Sequence, residues 1–116
     1  MREFGFRRQH VLHIDEASSG QTVSLPNGQI AELRLRENPT TGFRWRTRHT
    51  GEPNCRIKED FLEPATASPP GEGRVHIWRI EAIQIGVCEL SLNYVRAWDD
   101  TQPPARSFEV HISVIK

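Results

Sequence analysis

The sequence predicts an all-β protein, a sandwich of antiparallel strands, on three observations. Turn-forming residues recur at short intervals, the segments between them are rich in β-branched and aromatic residues, and these segments alternate between apolar and polar positions. No segment carries a sustained helical period. The chain has 116 residues, of which 36% are hydrophobic, which suits a single core. We therefore expect residues 1–116 to form one domain.

The alternation is clearest in the C-terminal half. Segments 74–83, 87–96 and 108–114 each place apolar side chains at every second position, with polar residues between them. A strand of this kind buries one face and leaves the other in water, as in antiparallel sheets. The side chains predicted to be buried are Trp78, Leu90, Leu92, Tyr94, Phe108, Val110 and Ile112.

Five earlier segments have the composition of strands, namely 10–14, 22–25, 30–36, 44–49 and 55–62. Pro26, Asn27 and Gly28 between the second and third of them predict a tight hairpin turn. About seven to eight short strands in a chain of this length is the count of an immunoglobulin-like β-sandwich.

Strand direction groups the connections. If the five strands from residue 30 to residue 96 run alternately up and down, every second connection lies at the same end of the sandwich. The connections around Thr40, Gly71 and Trp98 should then lie side by side, as the binding loops of antibodies do.

The first of these connections, N-P-T-T-G-F at 38–43, has the residues of a stiff, exposed turn. Pro39 fixes its own φ and favours an extended residue before it, while Gly42 permits a positive φ. Phe43 can anchor the end of the loop in the core, which leaves both threonine hydroxyls to point outward. A loop already held in its bound shape loses little entropy on docking. Taken alone, the segment is better explained as an ordinary structural turn.

Two further motifs follow this hexapeptide in order, Gly71-Glu72-Gly73-Arg74 and Arg96-Ala97-Trp98. With these three motifs the sequence resembles the chagasin family of inhibitors of papain-like cysteine proteases, in which the second and third motifs read G-x-G-G and R-P-W. The resemblance extends over residues 30–115. Two positions depart from it. Arg74 replaces a glycine, the residue suited to a positive φ or a close approach of the backbone, and Ala97 replaces a proline that would stiffen the loop.

The resemblance implies an immunoglobulin-like sandwich whose three clustered loops straddle the cleft of the protease, without a covalent bond, a metal or a cofactor. Thr40 and Thr41 would lie beside the catalytic Cys and His of the target, and Arg96 and Trp98 on the protease surface next to the cleft. The residues implied to bind the protease are Asn38, Pro39, Thr40, Thr41, Gly42, Phe43, Gly71, Gly73, Arg74, Arg96, Ala97 and Trp98.

Charge and hydropathy exclude several other partners. Lys plus Arg and Asp plus Glu are both 15, so no net charge attracts nucleic acid. No apolar run is long enough to span a membrane, and the N-terminus lacks the apolar run of a signal peptide. As written, the chain is expected to be a cytoplasmic monomer, or periplasmic or secreted if a leader has been removed.

The side chains capable of catalysis show no pattern typical of an enzyme. The five histidines are scattered along the sequence, and no phosphate-binding glycine loop or cofactor motif occurs. Cys55 and Cys88 could form a disulfide, a redox pair or two buried thiols, and we favour free thiols because the spacing is not C-x-x-C. Asp99 and Asp100 are interpreted as a solvated turn. The sequence therefore predicts a binding protein, with a different, non-protease partner as the alternative to a protease and a hydrolase as a weaker rival.

Overall fold

The computed structural model describes residues 11–64, 73–96, 98 and 101–116, and it shows a sandwich of two four-stranded sheets. The all-β prediction is confirmed. Two single turns of 3₁₀ helix, Glu16–Ser18 and Pro39–Thr41, interrupt the strands. The strands in chain order are β1 Val11–Ile14, β2 Thr22–Pro26, β3 Ile30–Glu37, β4 Phe43–Thr50, β5 Cys55–Leu62, β6 Arg74–Ala82, β7 Gly86–Arg96 and β8 Arg106–Ile115. In this part of the chain no helix is long and apolar enough to cross a membrane.

The two sheets divide the strands between them. Sheet A has the order β1-β3-β6-β5, and sheet B has the order β2-β8-β7-β4. Most neighbouring strands are antiparallel, but β1 pairs with β3 and β2 pairs with β8 in parallel. Strand direction alternates along the chain, so two odd-numbered strands or two even-numbered strands placed side by side must be parallel. The sandwich is therefore mixed at one edge of each sheet, rather than antiparallel throughout.

The core lies between the sheets and is built from the alternating apolar residues. All seven side chains predicted to be buried are buried. Phe43, at the start of β4, is partly buried and packs against this core, as expected for the anchor of the preceding loop. Burial of apolar surface on this scale is the main force that holds two sheets together.

Two details of the predicted fold are wrong. The turn at Pro26–Gly28 exists, since Gln29 N–H donates to Pro26 O at 3.0 Å, but it joins β2 of sheet B to β3 of sheet A and is no hairpin. A tight turn has the same chemistry whether the chain pairs with itself or changes sheet. Ser91, predicted to face water, is buried, with its Oγ 2.8 Å from Nδ1 of His49 on the neighbouring strand.

The connections that follow β3, β5 and β7 leave the sandwich at the same end, because all three strands run in the same direction. The connection between β1 and β2 crosses from sheet A to sheet B near the middle of the strands rather than at this end, since Ile14 lies beside Leu33 and Thr22 beside His111. The end formed by the three connections carries the described residues of the motifs at 38–43, 71–74 and 96–98.

Candidate functional site

The loop from Asn38 to Phe43 is a rigid turn of 3₁₀ helix. Asn38 caps the turn in an extended conformation, with φ −113° and ψ 97°, and its Oδ1 accepts a hydrogen bond from Thr40 N–H at 3.1 Å. Gly42 closes the turn in the left-handed region, at φ +81°, and donates to Pro39 O at 3.3 Å. The roles predicted for Pro39 and Gly42 are confirmed.

The threonine hydroxyls are used inside the loop. Thr40 Oγ1 donates to Asn38 Oδ1 at 2.6 Å, and Thr41 Oγ1 donates to Asn38 O at 2.8 Å. The expectation that these hydroxyls point outward is therefore wrong, because they donate to the side-chain oxygen of Asn38 and to its backbone carbonyl, which also accepts from Thr41 N–H at 3.1 Å. Both threonines are nevertheless exposed. A partner meets their methyl groups and the remaining lone pairs of oxygens whose protons are already committed.

Trp98 from the connection between β7 and β8 lies against this loop. A Cβ at position 42 would be 2.3 Å from Cη2 of Trp98, so the indole ring occupies the space that the glycine leaves free. The ring is 70% exposed. Arg96 lies over both neighbouring rings, with Cζ 5.0 Å from the centroid of Phe43 and 5.9 Å from that of Trp98. One side chain thus joins the end of the first loop to the start of the third.

An aromatic platform of Phe43, Trp45 and Tyr94 supports the loop from below. Phe43 stacks on Tyr94 with ring centroids 5.4 Å apart, and Trp45 lies 4.9 Å from Tyr94. The Tyr94 hydroxyl accepts a hydrogen bond from Asn38 N–H at 3.0 Å. The platform therefore fixes both ends of the loop, one by packing and one by a hydrogen bond.

The base of the loop is held by side chains, because β3 and β4 belong to different sheets and share no backbone ladder. Glu37, the last residue of β3, is 2% exposed, and its Oε1 accepts from Trp45 N–H at 3.2 Å. Trp45 Nε1–H in turn donates to Arg36 O at 2.8 Å. His76 on β6 places Nδ1 3.0 Å from the same Glu37 oxygen.

The charge on Glu37 is stabilised in spite of its burial. Burial alone would raise the pKa of this carboxyl, but hydrogen bonds from His76 and Trp45 and the charges of His76 and Arg44 outweigh it and hold the pKa below its usual value. Glu37 precedes the loop and accepts a hydrogen bond from Trp45, which follows it, so this buried carboxylate fixes the distance between the two ends of the loop.

The connection between β5 and β6 touches the first loop at Gly73. This residue has φ +78°, and a Cβ there would lie 3.1 Å from Glu37 O and 3.6 Å from Asn38 Cα. Arg74 is the first residue of β6, pairs with Glu37 in the ladder, and donates from Nη2 to Glu63 O at 2.6 Å. The expectation that Arg74 occupies a position suited to glycine is therefore wrong, since the positive φ falls on Gly73.

We call this assembly the loop edge. Gly71 and Ala97 from the predicted set lie outside the described residues. Sequence reasoning missed the supporting side chains Glu37, Trp45, Tyr94 and His76, of which the first and last had a signal, because each continues the inward-facing positions of its strand with a polar residue. The predicted site residues that the structure brings together in the loop edge are Asn38, Pro39, Thr40, Thr41, Gly42, Phe43, Gly73, Arg74, Arg96 and Trp98.

Side chains suited to a metal ion lie elsewhere. Glu89, Glu109 and His111 have potential ligand atoms within 4.8 Å of one another, on the face of sheet B away from the core. They lie toward the end opposite the loop edge and are at least partly exposed. Acidic and imidazole groups on an exposed sheet face commonly gather without an ion, so we assign no metal there.

Comparison with known proteins gives a consistent relationship. The family model described as Chagasin family peptidase inhibitor I42 matches residues 24–112. Chagasin of Trypanosoma cruzi is 24% identical over 103 residues, which cover 85% of this chain and 94% of chagasin. The match to the family model includes all three sequence motifs.

Solved structures show the same fold. The crystal structure of EhICP2, a cysteine protease inhibitor from Entamoeba histolytica, superposes with a TM-score of 0.77 at 17% identity, over 90% of this chain and 95% of that one. The structure of PbICP-C in complex with falcipain-2 gives a TM-score of 0.56 at 20% identity, over 90% and 98% of the two chains. Because the family model covers most of the chain, from Ser24 to Ile112, this protein belongs to the chagasin family of peptidase inhibitors and is an inhibitor rather than an enzyme.

Proposed function

We propose that the protein inhibits papain-like cysteine proteases reversibly and without a covalent bond, by inserting the loop edge into the active-site cleft. Two relatives support the class of target, since EhICP2 is described as a cysteine protease inhibitor and PbICP-C forms a complex with falcipain-2. Thr40 and Thr41 are the most exposed part of the central loop, and Trp98 flanks them. This arrangement suits a loop tip that enters the active-site cleft and a tryptophan that contacts the protease surface beside it.

The observation that carries the proposal is the rigidity of the exposed loop. Asn38 alone accepts two hydrogen bonds at its side chain and one from a hydroxyl at its carbonyl, and its N–H is bound by Tyr94. Flexible loops lose entropy on docking, at a cost of about 0.5–1.5 kcal/mol for each immobilised side chain. A loop with this many internal bonds avoids much of that cost.

The same rigidity protects the loop from cleavage. Residues 39–41 form a 3₁₀ turn, and Gly42 is in the left-handed region, so the backbone here is compact rather than extended. A scissile carbonyl must approach the catalytic thiolate in a narrow range of orientations before reaction occurs. The loop fills the cleft without presenting a peptide bond in such an orientation.

Covalent capture of the protease thiol has no chemical basis in the described loop edge. The two cysteines are Cys55 and Cys88, both buried between the sheets, at 0% and 7% exposure. The exposed side chains of the central loop are hydroxyls that already donate to Asn38. Binding by contact alone follows.

An inhibition assay against papain tests the proposal. Trp98→Ala should raise Ki roughly 30-fold, because loss of an exposed tryptophan at a binding hot spot costs about 2 kcal/mol or more. Replacing Thr40 and Thr41 together by alanine should raise Ki about tenfold or more, since three hydrogen bonds of their hydroxyls that stiffen the loop are lost. Melting temperatures should change little for Trp98→Ala.

The matched control is Ile85→Ala, which removes another exposed apolar side chain, 56% accessible, at the opposite end of the sandwich. It should inhibit like the parent. In the same assay, activity should return on dilution, and mass spectrometry should find the inhibitor intact. Unchanged inhibition by both loop variants would contradict the loop model, and a folded parent that never inhibits papain would point to a different partner.

A further inference from the structure

We propose that His76, carrying a proton on both ring nitrogens, is a positioning residue that clamps Glu37 and so holds the central loop in its binding shape. Loss of one of these protons would then weaken inhibition while the sandwich stays folded. The expected effect on inhibition rests on the function proposed above. The protonation state of the His76 ring is independent of that function.

Both nitrogens of His76 face a carboxylate. Nδ1 lies 3.0 Å from Oε1 of Glu37 on β3, and Nε2 lies 2.7 Å from Oδ2 of Asp60 on β5. Ionised carboxylates only accept hydrogen bonds, and a neutral imidazole can donate from one nitrogen alone. Only the doubly protonated ring satisfies both contacts.

The surroundings favour this charged form. Burial would lower the pKa of His76, but hydrogen bonds to Glu37 and Asp60 and the charges of both carboxylates outweigh it and raise the pKa above its usual value. The ring also stacks on Trp78, with centroids 3.9 Å apart and planes 6° from parallel. In the described part of the chain, these two carboxylates are the charged groups that act on His76, while Arg44 on β4 acts on Glu37.

The clamp is coupled to the loop through Glu37. The same oxygen that accepts from His76 also accepts from Trp45 N–H, on the far side of the loop, at 3.2 Å. A neutral imidazole carries no charge and can donate to only one of the two carboxylates, so its loss of a proton either leaves Glu37 with the single hydrogen bond from Trp45 or removes the positive charge that stabilises Glu37 in its buried position. Any shift of Glu37 moves Asn38, which follows it directly and caps the 3₁₀ turn.

The pH window follows from the directions of the two shifts. His76 has a raised pKa, so its contribution is complete below the unfolded value of about 6.5 and is lost as pH rises through the folded pKa. Glu37 has a lowered pKa, so its contribution is present above its unfolded value and is lost as pH falls through the folded one. Both hydrogen bonds from His76 to its carboxylates are therefore present at weakly acidic pH, and one of them is lost at alkaline pH.

The first measurement follows the imidazole directly, in the free protein. Nuclear magnetic resonance of ¹⁵N-labelled histidine rings should show one ring that titrates above about 6.5 and that disappears in His76→Gln. The amide signals of Thr40 and Gly42 should titrate with the same midpoint. A midpoint for His76 at or below the ordinary value would overturn the proposal.

The second measurement compares Ki for papain across pH, as the ratio of His76→Gln to parent, because this ratio cancels the titration of the protease itself. The ratio should be about tenfold near pH 5.5 and fall toward one by about pH 9, as the parent loses its own clamp. In Asp60→Asn, which alters a half-exposed side chain on an edge strand, the alkaline loss should begin at lower pH. This variant keeps the test available if His76→Gln folds poorly.

His13→Gln is the control, since His13 lies on β1 of the same sheet with a 70% exposed side chain that touches Glu32. Its ratio to the parent should stay near one at every pH. A flat ratio for His76→Gln, together with a high midpoint, would show that His76 stabilises the fold without positioning the loop. If the parent inhibits at no pH, the proposed function fails, while the ring titration still decides the state of His76.

Discussion

Gly42 meets two separate demands that no other residue type meets. Its φ of +81° lies in the left-handed region, and the indole of Trp98 occupies the volume where a Cβ would be. The first demand costs an alanine roughly 1–2 kcal/mol. The second is steric and local, because the ring must move before any side chain can enter.

These two demands can be separated by experiment. Gly42→Ala should displace Trp98 and raise Ki for papain at least as much as Trp98→Ala, about 30-fold. Gly28→Ala is the matched control, because Gly28 has φ +88° but no atom within 4 Å of the added Cβ, and it lies at the other end of the sandwich. Both variants should lose similar stability in urea unfolding. If they also inhibit equally well, the contact between Gly42 and Trp98 has no part in binding.

For individual residues, the sequence predicted backbone conformation better than side-chain hydrogen bonding. Pro39 and Gly42 were assigned correctly, because φ restrictions depend on one residue. The directions of the threonine hydroxyls were not, because the Asn38 cap that attracts them forms only once the turn exists. Glu37 and His76 meet through strand register, with His76 opposite Leu35, and register is not visible in a single strand.

The strands show which features of the fold can be predicted from neighbouring residues and which cannot. Their bounds follow from alternation, which depends on residues two positions apart, and the predicted segments agree with β3 through β7 to within one or two residues. Sheet membership depends on contacts between distant segments. For this reason the local pattern alone could not predict that β1 pairs in parallel with β3 and β2 with β8. Nor could it predict that the turn at Pro26–Gly28 crosses between the sheets.

β7 allows a test of the core within one strand. Leu92 is 0% exposed and lies between β4 and β8, so Leu92→Ala should lower the free energy of unfolding by about 2–5 kcal/mol. Val87→Ala in the same strand removes an exposed side chain, 62% accessible, and should change stability by no more than about 0.5 kcal/mol. Urea unfolding curves measure both. Equal effects would contradict the assigned inward face of β7.

Across the whole molecule, one pair of thiols spans the two sheets. Cys55 on β5 and Cys88 on β7 are free, with their Sγ atoms 3.4 Å apart. Burial, assisted by the neighbouring thiol, raises the pKa of Cys55 to about 12, and burial also raises that of Cys88. Because the thiolate is the reactive form, both cysteines should be inert while the sheets stay together.

A thiol-reactive dye checks this prediction. It should label neither cysteine in native buffer and both after unfolding in urea, and added reductant should leave the melting temperature unchanged. The unfolded sample is its own control for reagent quality. Rapid labelling of the native protein would contradict the buried thiol pair, and a lower melting temperature in reductant would reveal a disulfide.

The alternation of strand direction also has a practical consequence at the end away from the loop edge. There the turn between β6 and β7 is fastened by Asn54, whose side-chain amide donates to Gln84 O at 3.2 Å and to Ile85 O at 3.1 Å, while the Gln84 side chain is exposed. With the native thiols inert, Gln84→Cys would supply a single reactive handle on that turn. A sensor chip coated through this handle would present every molecule with its loop edge outward, so that, with the loop edge binding as proposed, the chip would capture and count active protease from a mixture.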